Sequence, residues 1–344
     1  MLRRGGGHGV LGGVLGLQDR APASAPASQQ GEQRARVLAG GAQGRGDAVE
    51  EDRQDHHGDA GLHAEGDDSA TEQGAGGEIS GTITMGFLPA WTDGLSMAYL
   101  LENQLEEMGY TVEMETVSEA ALLYAAVASG DVNMYPSAWP EVTHADYMEQ
   151  YGDDIEDLGD YYGGAVLTIA VPDYVDITSL AELADNADMF DGRIIGIEPG
   201  AGLTRVTGED MMPAYGLEDN FELVTSSTTA MLAELQGAVD SEEPIVVTLW
   251  RPFWANSEFP VRDLEDPEGA MGDPEALHFL GNSGFAEEFP EAAEWIGQLK
   301  LDDEQYGSLE DMVVNEYGEG NEAEAIEAWL EANPDVLPPL PSNS

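Results

Sequence analysis

Three tryptophans each close an apolar, strand-like run of the chain: Trp91 in ITMGFLPAW, Trp139 in VNMYPSAW and Trp250 in PIVVTLW. A βα protein presents its ligands at the carboxyl ends of its strands. Three flat rings gathered there can form an aromatic box, which recognises cations that cannot donate hydrogen bonds, quaternary ammonium above all. Each ring alone could be an ordinary core or surface residue, but three at equivalent strand ends favour the box.

The other three tryptophans are less suited to a ligand site. Trp254, Trp295 and Trp329 lie in or beside helix-like runs, where core packing is the expected role. Trp254 is close enough to Trp250 in the chain to buttress that ring.

A histidine follows the second of the three tryptophans. His144 lies five residues beyond Trp139 in SAWPEVTH, on the same strand-to-helix connection. It could donate a hydrogen bond to a carboxylate while the rings hold a cationic group, although a lone histidine is more often structural. His278, in the apolar run EALHFLG, is expected to be a satisfied core histidine.

A glycine-rich turn, Pro199–Thr204, leads from a predicted strand into a predicted helix. Free backbone N–H groups at a helix start form an anion site, although glycines also serve simply to turn corners. The turn is neither a Walker loop nor a complete GxGxxG, and no lysine follows it, so it does not predict nucleotide binding. Arg205 and Arg251 are conspicuous in a base-poor chain; either could reach the ligand or form a surface ion pair.

No residue pattern predicts catalysis. The chain has no G-x-S-x-G and no HExxH, and it spreads its acids diffusely. A hydrolytic enzyme needs a nucleophile–base pair or paired carboxylates in a defined site. We therefore expect no catalytic residue, no metal and no cofactor.

The charge of the chain excludes several classes of partner. Its 344 residues carry a formal charge of −56, and from residue 78 onward 56 acidic residues face 5 basic ones. Nucleic acid and anionic membrane surfaces are excluded as direct partners. Halophilic adaptation is the favoured explanation, because molar salt reduces the screening length to roughly 3 Å. Calcium buffering is the alternative, but no Asp-x-Asp-x-Asp-Gly loop occurs.

The first 77 residues are predicted to lie outside the fold. Arg3 and Arg4 precede the apolar run Gly9–Leu17, which is too short to span a bilayer. The run resembles a poor twin-arginine export signal; a low-complexity leader or a misassigned start codon or reading frame is the alternative. Residues 18–77 contain few aliphatic side chains and are expected to be a disordered linker. The chain has no cysteine, which excludes disulfides, thiolate metal sites and lipid-modified cysteine.

Two sets of alternating strands and helices follow. In the first set, strands are predicted at 83–87, 110–114 and 132–139. A helix at 97–108 should stop at Gly109, and a second helix should begin at a Ser118 cap and stop at Gly130. A buried strand is predicted at 164–171 and leads to the second set. That set has strands at 193–197, 222–224 and 245–249 and a helix at 229–239. A short strand from 276 and helices at 289–299 and 323–332 follow it. The order predicts an α/β fold of two lobes with parallel strands and a ligand cleft between them. The first lobe is expected to comprise 78–165 and 265–344, and the second 166–264.

Five motifs give the chain a resemblance to a known family. They are GFLPAWTDG, VASGDVNMYPSAWPEVTH, IEPGAGLTRVT, PIVVTLWRPFW and DPEGAMGDPEALHFLGNSGF. From about Ile79 to Ala332 the chain resembles the glycine betaine substrate-binding proteins of osmoprotectant ABC importers. The resemblance implies a two-lobed, type II periplasmic-binding-protein fold that closes on its ligand and docks to a membrane permease.

The family pattern assigns roles to six positions. Trp91, Trp139 and Trp250 would surround a trimethylammonium group. The resemblance also implies that His144 and the backbone N–H groups of Gly202 and Leu203 hold the carboxylate. Arg251 departs from the family pattern after the third tryptophan, which could alter the ligand preference.

The expected function is that of an exported, monomeric, non-enzymatic receptor on the outer face of the membrane, and its mode of anchoring is left open. Its ligand would be glycine betaine, with choline, carnitine, proline betaine or ectoine as alternatives. An enzyme on the same two-lobed scaffold and a structural or surface-layer protein are the rival classes.

Overall fold

The computed structural model describes residues 79–341, which belong to one compact unit. The predicted leader and linker at residues 1–77 lie outside the described residues. The strands of the described part are β1 (Thr82–Phe87), β2 (Thr111–Thr116), β3 (Met134–Ala138), β4 (Ile155–Pro172), β5 (Arg193–Ile195), β6 (Glu222–Val224), β7 (Val247–Arg251), β8 (Val261–Asp263) and β9 (Glu275–Asn282).

Helices alternate with most of these strands. They are α1 (Thr92–Met108), α2 (Ala120–Ser129), α3 (Ala145–Tyr151), α4 (Gly202–Arg205), α5 (Met212–Ala214), α6 (Thr228–Ser241), α7 (Ala255–Glu258), α8 (Phe285–Glu288), α9 (Pro290–Ile296), α10 (Asp303–Asp311) and α11 (Glu322–Ala332). Short 3₁₀ turns occur at Gly152–Asp154, Leu180–Glu182 and Ala184–Phe190, and π-helical turns at Val206–Met211 and Met312–Tyr317.

The strands form two sheets that share β4. The first has the order β2-β1-β3-β9-β4, and its β1, β2 and β3 are parallel as the sequence predicts. The second has β4, β7, β5 and β6 in line, with β8 also on β4. We call the part of the chain built on the first sheet the first lobe and the part built on the second sheet the second lobe.

The long strand β4 passes from one sheet to the other without a break. Its first half pairs with β9 as far as Ala165, which lies opposite Glu275. Its second half pairs with β7 from Val166, which lies opposite Arg251. The sequence predicts a strand only at 164–171, so the structure adds the nine residues before it. The assignment of the connecting loops and chain ends to either lobe stays a prediction.

The apolar positions of the predicted elements fill the core. Ile83, Met85 and Phe87 of β1 are buried, as their alternation predicts. Trp295 and Trp329 are also buried, in keeping with the packing role expected for them. Helices α1 and α2 end at Gly109 and Gly130, the predicted stops.

Two local predictions need correction. The predicted cap at Ser118 is wrong: α2 has Glu119 at its N-cap position, with no side-chain hydrogen bond there. The expectation of a satisfied core histidine at His278 is also wrong: the residue is only partly buried in β9, and although its Nδ1 is 3.0 Å from Asp157 Oδ1, its Nε2 forms no hydrogen bond within residues 79–341.

Candidate functional site

A cavity between the two lobes contains all six residues proposed from the sequence. It encloses about 340 Å³ of space, part of which is open to solvent. Its lining is Trp91, Asp93, Trp139, Thr143, His144, Leu167, Ile197, Ala201, Gly202, Leu203 and Trp250.

Trp91 enters the cavity at the start of a helix. It is the N-cap of α1, four residues beyond the end of β1, rather than the last residue of a strand. Its indole Nε1 donates to Glu198 Oε2 at 3.3 Å, and Glu198 belongs to the second lobe. Glu198 also accepts from the backbone N–H and the hydroxyl of Thr228, at 2.9 Å each, so its carboxylate is well anchored.

Trp139 follows β3 directly and is held within the first lobe. Its Nε1 donates to Asp93 Oδ2 at 3.0 Å, and the same oxygen accepts from the Ser137 hydroxyl at 2.7 Å. Burial raises the pKa of Asp93, and the hydrogen bonds from Trp139 and Ser137 partly offset that rise. The indole and the carboxylate therefore position one another, since each satisfies a buried polar group of the other.

Trp250 is the penultimate residue of β7 and is held by ring packing. Its ring is stacked on Phe253, with centroids 3.9 Å apart and planes inclined by 19°. The expectation that Trp254 buttresses Trp250 needs correction, because Trp254 contacts Phe253 instead, edge to face at 5.8 Å. The direct support is Phe253, and Trp254 forms the layer behind it.

His144 is a neutral imidazole whose ring orientation is determined by the backbone. Burial, and secondarily the charge of Arg205, lower its pKa to about 3. The Trp139 backbone N–H donates to His144 Nδ1 at 3.3 Å, and the Tyr124 hydroxyl lies 3.0 Å from the same nitrogen. Because an N–H group can only donate, we assign Nδ1 as the acceptor and place the ring proton on Nε2. Nε2–H is therefore available as a hydrogen-bond donor at the cavity.

Gly202 and Leu203 begin the continuous helical segment that runs from α4 through the π turn to α5. N–H groups in a first helical turn have no partner within the helix, and they carry the positive end of its dipole. Gly202 packs closely against the first lobe: a Cβ there would lie 1.9 Å from the Thr143 carbonyl oxygen. Only glycine allows this helix start to approach the loop that carries Trp139 and His144.

Several polar contacts join the lobes around the cavity. The Tyr147 hydroxyl donates to Gly200 O at 2.7 Å. The Arg205 guanidinium donates to Val142 O at 3.2 Å and forms an ion pair of 3.2 Å with Asp146, both in the first lobe. It also pairs with Asp210 of its own helical segment at 3.2 Å. The structure is thus a closed arrangement, with the loop between β3 and α3 in contact with the second lobe.

The two conspicuous arginines differ in position. Arg205 bridges the lobes close to His144, whose pKa its charge helps to lower. Arg251 lies in β7 and pairs with Asp263, with 2.5 Å between Nε and Oδ2. It is not part of the cavity lining.

One buried carboxyl group contacts a residue beside a cavity tryptophan of the first lobe and a residue beside the support of the tryptophan of the second lobe. We call the lining from the first lobe the first-lobe wall and the lining from the second lobe the second-lobe wall. Glu310 of α10 accepts from the Thr92 hydroxyl, next to Trp91, and from the backbone N–H of Trp254, next to Phe253. Burial is the largest of the influences that raise the pKa of Glu310 to about 8. The group is therefore protonated at neutral pH, and it forms hydrogen bonds as a neutral acid.

Sequence reasoning missed several residues of the site. Asp93, Thr143, Leu167, Ile197 and Ala201 line the cavity without having been proposed. Asp93 lies two residues after Trp91, and this proximity is a signal that could have identified it.

Residues 79–341 contain neither a candidate membrane span nor a candidate metal cluster. No helix there combines the length and the apolar character needed to cross a bilayer. No group of three or more His, Asp or Glu side chains in that range is arranged to hold a metal ion.

Comparison with known proteins identifies the family. A family model described as the substrate-binding domain of ABC-type glycine betaine transport systems matches residues 81–332. The glycine betaine/carnitine transport binding protein GbuC of Listeria monocytogenes is 34% identical over 156 residues, which are 44% of this chain and 50% of that protein. The glycine betaine/proline betaine-binding periplasmic protein of Salmonella typhimurium is 24% identical over 272 residues, covering 68% of this chain and 81% of that protein.

Solved structures agree with this assignment. The chain resembles ProX of Borrelia burgdorferi, a glycine betaine/L-proline-binding protein, with a TM-score of 0.69 and 30% identity over 75% of this chain and 97% of that one. It also resembles lactococcal OpuAC in its closed form complexed with glycine betaine, with a TM-score of 0.67 and 26% identity over 74% of this chain and 96% of that one. The predicted α/β, two-lobed type II periplasmic-binding-protein fold is confirmed. The chain belongs to the family of substrate-binding domains of ABC-type glycine betaine transport systems.

Proposed function

We propose that the chain captures glycine betaine, or a closely related quaternary ammonium zwitterion, at the outer face of the membrane and delivers it to a permease for osmoprotection. The observation that carries this proposal is the lining of one cavity by three indoles together with a neutral histidine and a helix start. These groups suit opposite ends of one zwitterion. The names of the relatives, several of which are glycine betaine-binding proteins, support the same ligand.

The indoles suit the cationic end. Trp91, Trp139 and Trp250 are all nearly buried, with 9%, 5% and 5% of their surface exposed. A methylated ammonium between such faces gains on the order of 0.5 to 2 kcal/mol per ring. It also loses little hydration, whereas an ammonium group or a sodium ion would leave strong hydrogen bonds to water behind. The box therefore selects methylated ammonium over lysine or sodium.

The carboxylate end would lie against the second group of residues. His144 offers its Nε2–H, and Gly202 and Leu203 offer backbone N–H groups at the positive end of a helical segment. Hydrogen bonds to a charged acceptor are about twice as strong as neutral ones. Choline has a hydroxyl group in place of the carboxylate, so it should bind more weakly.

The closed arrangement supports a carrier role. The contacts of Arg205, Tyr147 and Gly202 across the lobes need both lobes together, so a ligand that bridges the walls would favour them. The closed lobes would then mark the loaded receptor for the permease. Nothing in this sequence of events requires a chemical step on the ligand, so we propose that the protein is a receptor and not an enzyme.

Calorimetry and thermal unfolding in molar potassium chloride test the proposal, with glycine betaine, choline, carnitine, proline betaine and ectoine as ligands. Wild-type protein should bind glycine betaine most tightly and leave it chemically unchanged. Trp139→Ala should abolish measurable binding, since it removes a wall of the box, whereas Tyr317→Ala, a change at an exposed ring, should not. Near-wild-type affinity in Trp139→Ala would refute the box, and no ligand-induced stabilisation in wild type would refute the receptor.

A further inference from the structure

The loop between β3 and α3 carries two of the proposed ligand-binding side chains, Trp139 and His144. The loop is closed at its ends: the His144 backbone N–H donates to Trp139 O at 2.8 Å, and the Trp139 N–H donates to the His144 ring at 3.3 Å. These contacts join the two ends to one another. They do not fix the loop to the rest of the first lobe.

A single carboxylate fixes the middle of this loop. Glu275 Oε2 accepts from the backbone N–H groups of Glu141 and Val142, each at 3.0 Å. Glu275 Oε1 accepts from the backbone N–H of Thr143 at 3.0 Å and from the Thr143 hydroxyl at 2.5 Å. Only 4% of the residue is exposed. Four donors to one buried carboxylate form a charge-assisted clasp, and each of the three loop N–H groups obtains its partner there.

The clasp is attached to a rigid part of the molecule. Glu275 is the first residue of β9, and its partner in the sheet is Ala165, the last residue of β4 before that strand joins the second sheet. Three residues earlier, Gly272 packs on the same loop, where a Cβ would lie 2.6 Å from Val142 Cγ1. The loop is therefore anchored to the start of β9, beside the position where β4 passes from the first sheet to the second.

Glu275 does not itself line the cavity. We propose that Glu275 is a positioning residue for ligand binding: its carboxylate clasps residues 141–143 and thereby holds Trp139 and His144 in the binding geometry before the ligand arrives. The inference rests on the proposed function, because it assigns Glu275 to the same site. A site that is already ordered loses less freedom on binding than one that the ligand must order.

Glu275→Gln tests the clasp with a nearly isosteric side chain. The amide NH₂ faces one of the two pairs of donors, so at least one pair loses its acceptor. In ligand-free protein in molar potassium chloride, the amide hydrogens of 141–143 should exchange at least about tenfold faster than in wild type. The dissociation constant for glycine betaine, measured well below the melting temperature, should rise about tenfold or more.

Two further variants separate positioning from general stability. Glu156→Gln is the matched control, because Glu156 accepts one backbone N–H, from Ala286 at 3.0 Å, outside the cavity lining. It should leave both measurements within about twofold of wild type. Glu275→Asp keeps the charge but shortens the reach, so it should fall between wild type and Glu275→Gln, and it remains informative if Glu275→Gln fails to fold.

The outcomes distinguish this inference from the proposed function. Unchanged exchange at 141–143 in Glu275→Gln overturns the clasp, and faster exchange with unchanged betaine affinity overturns its role in ligand binding. If wild-type protein does not bind glycine betaine, the proposed function fails, and the exchange measurement then decides whether Glu275 positions the loop.

Discussion

The tryptophans of the first lobe and the tryptophan of the second lobe are supported differently. Trp91 and Trp139 donate their indole N–H groups to buried carboxylates, Glu198 and Asp93. Trp250 lies against Phe253 and has no such carboxylate partner among residues 79–341. Directional hydrogen bonds fix the rotation of a ring, whereas stacking tolerates small shifts in its plane. The rings of Trp91 and Trp139 in the first-lobe wall are therefore held in a narrower range of orientations than the ring of Trp250 in the second-lobe wall.

The close approach of the walls gives the largest expected effect. Gly202→Ala would place a methyl group 1.9 Å from Thr143 O, so the second-lobe wall could not reach the first. We expect the affinity for glycine betaine to fall by about 100-fold or more, since such overpacking costs about 3 kcal/mol. Calorimetry measures the loss. Gly237→Ala is the control, because its Cβ would meet nothing within 4 Å in helix α6 and should only stabilise the fold.

Paired tryptophan substitutions test the difference in support directly. Trp139→Phe removes the donor to Asp93 and leaves a buried carboxylate short of a partner, which should weaken betaine binding by about 10- to 100-fold. Trp250→Phe keeps a ring against Phe253 and should weaken binding by about fivefold or less. Titration calorimetry of both variants measures the comparison. Equal losses would show that the indole hydrogen bond contributes nothing to the geometry of the first-lobe wall.

His144 extends the comparison to the other end of the ligand. His144→Ala removes the Nε2–H donor but leaves the helix start of the second lobe in place. The preference for glycine betaine over choline should therefore shrink by about tenfold without disappearing. Parallel calorimetry with both ligands measures it. An unchanged preference would assign the carboxylate to the second-lobe wall alone.

A pH dependence of stability is expected from Glu310, the buried acid that contacts residues beside Trp91 and beside Phe253. The pKa of Glu310 rises from 4.5 to about 8 in the folded protein. Between those pH values the folded state binds a proton that the unfolded state does not, so this group's contribution to stability falls as pH rises. The loss is at most roughly 1.4 kcal/mol per pH unit.

Glu310→Gln removes this titration while keeping an acceptor for Thr92 and Trp254. Urea unfolding at pH 5, 6.5 and 8, at constant molar salt, should show the variant gaining stability relative to wild type as pH rises. A constant difference across the three pH values would contradict a shifted Glu310. Carboxylates that do not interact with Glu310 titrate equally in both proteins and cancel in the comparison.

The regular elements of the first lobe could be predicted from the sequence because their signals are local. The alternation of Ile83, Met85 and Phe87 and the stops at Gly109 and Gly130 need only neighbouring residues. The first half of β4 could not be predicted so easily. Its run IEDLGDYYGG is charged and glycine-rich, and it forms a strand because β9, far away in the chain, pairs with it.

The tryptophans could be predicted because tryptophan is rare and each one closes an apolar run. Their supports could not, because Asp93, Glu198 and Glu275 are three among the 56 acidic residues that follow residue 77. Composition marks that whole set as a solvated surface. Only the folded chain distinguishes the few carboxylates that are buried and hydrogen-bonded from the many that face water.

Because β4 runs unbroken through both sheets, it places a constraint on changes in chain length. Side chains on a strand alternate between its two faces, so one residue inserted after Ala165 would reverse every later position. Leu167 would turn away from the ligand space, and its pairing with Trp250 would be lost, although each lobe could keep its own core. The first half of β4 already contains register shifts against β9, but its second half pairs with β7 without one, so a single added residue there would reverse Leu167.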